Sequence, residues 1–104
     1  MRTCQVIFTP EFEERLADLF HYITEEAGSP VVAARYTDAI VSYCESLGAF
    51  PHRGTMRDDL QPGLRITHYR GRTVIAFVVD GDQVFMTGLF HGGQDYETKL
   101  GMGG

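Results

Sequence analysis

Five arginines, Arg53, Arg57, Arg65, Arg70 and Arg72, fall between positions 53 and 72 of a 104-residue chain whose net charge is -5. Guanidinium groups hold carboxylates and phosphates in a planar, two-pronged geometry, so this stretch is equipped to meet an anionic partner. Further on, His91 carries an imidazole whose ordinary pKa of about 6.5 suits proton exchange near neutrality. Arg53, Arg57, Arg65, Arg72 and His91 are therefore the candidate contact residues. Each has a plain structural alternative. Arg65 pairing with Asp58 or Asp59 in the adjoining loop would leave the same signature, and a histidine at a strand end can serve as a hydrogen-bonded structural group.

Other reactive side chains are better explained by packing or solvation. His52 and His68 have no partners at ligand spacing, and His21 lies near an acidic helix face. Cys4 and Cys44 belong to no CxxC or Cys/His cluster and read as two buried free thiols. Glu13, Glu14 and Asp18 sit opposite an apolar stripe, as solvated helix charges do. Tyr36 and Tyr43 share helical spacing with aliphatic residues, so core packing accounts for them. No Walker loop, GxGxxG, HExxH or GxSxG is present, and neither a cofactor nor a metal is expected.

The length suits one small domain over residues 1–100, with a frayed tail over 101–104, and 43% hydrophobic residues suffice for one core. No apolar leader opens the chain and no run reaches bilayer length, so a cytoplasmic protein without membrane contact is expected. The first half holds Arg2, Arg15 and Arg35 against eight acids; residues 52–104 hold six cations and six acids. Positive charge thus gathers where strands and loops are expected.

Cys4 to Phe8 reads as a short strand stopped by Thr9-Pro10. Thr9 caps a helix whose stripe is Phe12, Leu16, Leu19, Phe20, Ile23 and Ala27, ended by Gly28. Ser29-Pro30 starts a second helix with Val32, Tyr36, Ile40, Tyr43, Cys44 and Leu47 as its buried stripe, closed by Gly48. So short a connection demands an antiparallel helical hairpin. Ala49 to Gly63 shows little periodicity and reads as a working loop. Leu64–Tyr69, Thr73–Val79 and Gln83–Phe90 then form an antiparallel meander across Arg70-Gly71 and Asp80-Gly81. The unbroken apolar run from Val74 to Val79 marks a central strand covered on both faces. The predicted architecture is α+β, in the order β-α-α-β-β-β, with the hairpin on one face of a curved, mainly antiparallel sheet.

Phe8-Thr9-Pro10, Leu47, Phe50-Pro51 with Gly54, Pro62-Gly63-Leu64-Arg65, Ile75-Ala76-Phe77 and His91-Gly92 occur in an order and spacing that resembles the ParE branch of the RelE/ParE superfamily of bacterial toxins. The resemblance covers nearly the whole chain. It implies the toxin of a type II toxin–antitoxin system, neutralised by a ParD-like ribbon-helix-helix antitoxin whose flexible tail wraps it, with DNA contacted only through that antitoxin. A groove at the helix–sheet margin and an exposed strand edge would suit a tail that docks a helix and adds a strand.

ParE members act on DNA gyrase by protein contact, with no catalytic group implied, whereas RelE members cut mRNA in the ribosome. In a nuclease of that kind Arg65 and Arg72 would stabilise phosphate, His91 would exchange protons and Tyr96 lies close in sequence. Lys99 is the only lysine, the loop after the second helix lacks a glutamate base, and the negative charge opposes docking on RNA. Gyrase inhibition is the favoured expectation. Gly93-Gln94 stands where relatives often carry arginine. A toxin fold that only binds its antitoxin is a third possibility.

Overall fold

Two hydroxyl-proline pairs set where the helices begin. Thr9 Oγ1 accepts from the Phe12 N–H at 3.2 Å and Ser29 Oγ from the Val32 N–H at 3.3 Å, while proline takes the first helical position. In the computed structural model, which describes residues 3–102, these caps open α1 (Pro10–Ala27) and α2 (Pro30–Ser46). The Thr9 hydroxyl also donates to Met86 O at 2.7 Å, pinning the start of α1 to the sheet.

Five strands, β1 (Gln5–Phe8), β2 (Thr55–Met56), β3 (Leu64–Tyr69), β4 (Thr73–Asp80) and β5 (Gln83–Phe90), form one sheet in the order β1-β5-β4-β3-β2. The expected meander is present, and β1 adds to it parallel to β5, with Gln5 opposite Gln83 and Phe8 opposite Met86. The α+β architecture is as the periodicities predict, with two additions. β2 lies within the stretch read as a loop, and α3 (Tyr96–Met102) follows β5. Gly101 and Met102, expected to be frayed, end α3; residues 103 and 104 of that tail lie outside the described residues.

The alternation along β4 explains its apolar run. Ile75 and Phe77 point to the helices, where they meet Phe12, Leu19, Ile40, Cys44 and Leu47 with Val84, Met86 and Leu89. Ala76 joins Leu64, Ile66, Phe90 and Leu100 on the other face, which Leu60 and Tyr96 help to cover. Burying each large side chain contributes about 1.5–3 kcal/mol. A bulge between Ala76 and Phe77 leaves Thr87 unpaired, its hydroxyl donating to Ala76 O at 3.3 Å. The extra residue lets Met86 and Leu89 share the helix-facing side although they are three apart.

Two expected core positions are corrected. Ala27 is exposed on the last turn of α1, and Val32 is 46% exposed, because α2 turns Ala33, Thr37, Ile40 and Cys44 inward instead. The buried threonine satisfies its hydroxyl on Ala33 O and hides the true stripe from a purely apolar count. Cys44 is buried and Cys4 half-buried, both as free thiols, and burial beside Glu45 pushes the Cys44 thiol up to about 12.

Candidate interaction site

The hairpin does not cover the whole sheet. Between α1, the first turns of α2, the β3–β4 turn and the end of β5 lies an open cleft of about 840 Å³. Tyr22, Ile23, Val32 and Tyr36 supply its apolar wall, with Arg72 and His91 on the sheet side. Tyr22 is 42% exposed, so the wall presents apolar surface to any partner.

His91 emerges directly from β5. Its ring packs on Tyr22 with centroids 4.5 Å apart, and its main-chain N–H donates to Gln94 Oε1 at 3.0 Å, closing the turn His91-Gly92-Gly93-Gln94. Nδ1 is buried and has no hydrogen-bond partner among the described residues. Burial holds the His91 pKa below its ordinary value of 6.5; Asp18 pulls it up, and Arg15 and Lys99 push it down further. The half-buried ring is thus held by packing on Tyr22, and the main chain of His91 carries the turn's hydrogen bond.

Tyr36 and Thr73, which line the cleft, belong to a polar-tipped aromatic set that continues beneath α2. Tyr36 Oη and Thr73 Oγ1 are 2.8 Å apart, and Tyr43 Oη and Thr67 Oγ1 are 3.0 Å apart. Tyr69 lies between them, 5.8 Å from the Tyr36 ring and 5.3 Å from the Tyr43 ring. Both tyrosines therefore pack as expected, with hydroxyls bonded to the sheet.

The candidate arginines are dispersed. Arg72 is exposed at the cleft beside Arg70, and Tyr96 lines the same cleft at the start of α3. Arg65 sits at the opposite end of β3, roughly 13 Å along the strand from the turn that carries Arg72. It does not pair with Asp58 or Asp59. Its Nη1 donates to His52 O at 3.1 Å and Arg53 O at 3.4 Å, securing the loop after α2. In that loop the Arg53 guanidinium lies 4.9 Å from the centre of the exposed Phe50 ring.

Arg57 is bound within the chain. Nε and Nη2 donate to both oxygens of Asp59 at 2.9 and 2.8 Å, and Nη2 also meets Glu97 at 2.7 Å. That bidentate hydrogen bond holds the Asp59 carboxyl below its usual range. Asp58 accepts from the Gly63 N–H at 2.8 Å.

Tyr22 and Met56 are not among the candidates the sequence offers, and Arg70, one of the five clustered arginines, is not among the candidate contacts. Tyr22 lies off the main stripe of α1, and Met56 is in a segment without periodicity; only the presence of large apolar groups among polar neighbours marks them. Among the described residues, no group of His, Cys, Asp and Glu is placed to hold a metal ion, and no helix is long and apolar enough to cross a membrane.

Comparison with known proteins agrees with this geometry. No curated protein matches the chain significantly. Among solved structures, the chromosomal ParDE toxin–antitoxin system from P. aeruginosa is similar in fold, with a TM-score of 0.73 at 20% identity over 86% of this chain and 96% of that one. The model of the ParE toxin of the type II toxin–antitoxin system parDE matches residues 6–96. With nearly all of the fold inside that match, the chain belongs to the ParE toxin family.

Proposed function

We propose that this toxin arrests growth in the bacterial cytoplasm by binding DNA gyrase through protein contacts, and that a ParD-like antitoxin neutralises it. The observation that carries this reading is the separation of Arg65 from Arg72 and His91. A metal-free nuclease needs its phosphate-stabilising cations and its proton-exchanging group around one reacting phosphate. Here Arg65 secures a loop at one end of β3, while the desolvated ring of His91 packs on Tyr22 at the other. Dispersed cations beside exposed aromatic side chains suit protein contact better. The cleft, with its apolar wall and the arginines at its rim, suits an amphipathic, acidic helix from the antitoxin.

A second reading is a ribosome-dependent endonuclease, favoured only by the presence of Arg72, His91 and Tyr96 around one cleft. Inducing the toxin in cells and recovering plasmid and mRNA separates the two. Cleaved or relaxed plasmid with intact mRNA supports gyrase. Cut mRNA with normal plasmid topology supports the nuclease.

A further inference from the structure

At the far end of α2 from the cleft lies a second surface. Phe50 is 53% and Met56 45% exposed, two of the large apolar side chains left exposed among the described residues. Met56 stands directly opposite Arg65 in the β2–β3 pair, so their side chains share one face. Arg65 reaches under the loop to the carbonyls of His52 and Arg53, and Arg53 stacks on Phe50. These contacts join four residues into one patch.

The patch is rigid and positively charged. Gly54 adopts φ +77°, and a Cβ there would stand 2.3 Å from Ile66 O, so the loop backbone is pressed onto β3 at a place only glycine fits. Among the described residues the ion pairs found are those of Arg57 with Asp59 and Glu97, so Arg53 and Arg65 keep uncompensated charge. β2 is the last strand of the sheet, and its outer edge offers backbone groups to a further strand.

We infer that this patch, Phe50, Arg53, Met56 and Arg65 with the β2 edge, engages the toxin's target, and that its occupant is an extended acidic segment of another protein. The inference rests on the reading of the chain as a toxin acting by protein contact. Charge complementarity selects the occupant: two unpaired guanidinium groups flank apolar side chains, which suits carboxylates on a strand with apolar neighbours. A nucleic acid would meet the field of a chain with net charge -5. The cleft that suits the antitoxin helix takes in Val32, roughly 21 Å along α2 from the helix end that precedes the patch, so the two surfaces can be altered independently.

The test compares the wild type, F50S/R53E and R53K, each expressed at equal level in bacteria and each purified with the antitoxin. F50S/R53E is expected to lose growth arrest by at least tenfold in effective dose while antitoxin affinity changes less than twofold, which also shows that it folds. R53K, which keeps the charge but loses the planar group stacked on Phe50, is expected to arrest growth less than the wild type and more than F50S/R53E. Undiminished arrest by F50S/R53E, or a parallel loss of antitoxin affinity, would overturn the inference. Arrest that depends on the patch but accompanies cut mRNA would overturn the acidic-protein occupant. Patch-dependent arrest with gyrase unaffected would leave the patch standing and reject gyrase.

Discussion

Arg57 and Glu97 are joined at 2.7 Å across forty positions of sequence, and this pair ties α3 to the loop that precedes β3. α3 is seven residues long, too short to be stable alone. It is held by Leu100 in the core, by Gln61 Nε2 donating to Leu100 O at 2.9 Å, and by this pair. Arg57→Ala is therefore predicted to speed amide hydrogen exchange over residues 96–102 while leaving β4 and β5 protected. Unchanged exchange in α3 would show that the pair does not hold it.

The same clamp gives a pH dependence. The Asp59 carboxyl is held below its ordinary 3.8 by the hydrogen bond from Arg57, so its folded pKa lies under its unfolded one. Its contribution is fully present above that range and is lost as the pH falls through the folded value. Between pH 5 and 3 the wild type is predicted to lose more stability than Asp59→Asn, measured by denaturant midpoints.

His91 titrates in the opposite chemical sense with the same direction of stability. Its pKa lies below 6.5 chiefly because the ring is desolvated, so the folded state binds the proton less readily than the unfolded one. Stability from this group is present above 6.5 and lost as the pH falls through the folded pKa. Tyr22→Ala, by uncovering the ring, is predicted to move the His91 titration upward in an NMR experiment. No movement would mean that Tyr22 does not shield it.

Tyr36→Phe removes the partner of the Thr73 hydroxyl, on a residue only 1% exposed. The predicted cost is about 1–2 kcal/mol in chemical denaturation with an unchanged m-value, and Thr73→Val in the same chain should recover part of it.

Gly54→Ala would place a methyl against Ile66 O at a positive φ. A loss of more than about 1 kcal/mol is predicted, with β2 detached from β3.

The larger elements were legible because local and global signals agree. Thr9-Pro10 and Ser29-Pro30 start helices whose ends match the chain's punctuation, and the glycine-bearing turns bound β3, β4 and β5. β2 was not legible: two residues carry no alternation, and their pairing with Arg65 and Ile66 depends on a loop that tertiary contact places. α3 carried a readable signal, since Asp95 accepts from both the N–H and hydroxyl of Thr98 as a cap does, and Tyr96 and Leu100 lie one turn apart. At the site, the cluster of arginines in sequence concealed three different roles. Arg57 closes an ion pair, Arg65 braces a loop and Arg72 borders the cleft, because adjacent positions on a hairpin need not face one partner.

Purified toxin added to gyrase in an ATP-dependent supercoiling assay tests the proposed protein target most directly. Dose-dependent loss of supercoiling, with or without accumulated cleaved plasmid, and its relief by the antitoxin are predicted. Unaffected supercoiling by folded toxin that still binds its antitoxin would contradict it.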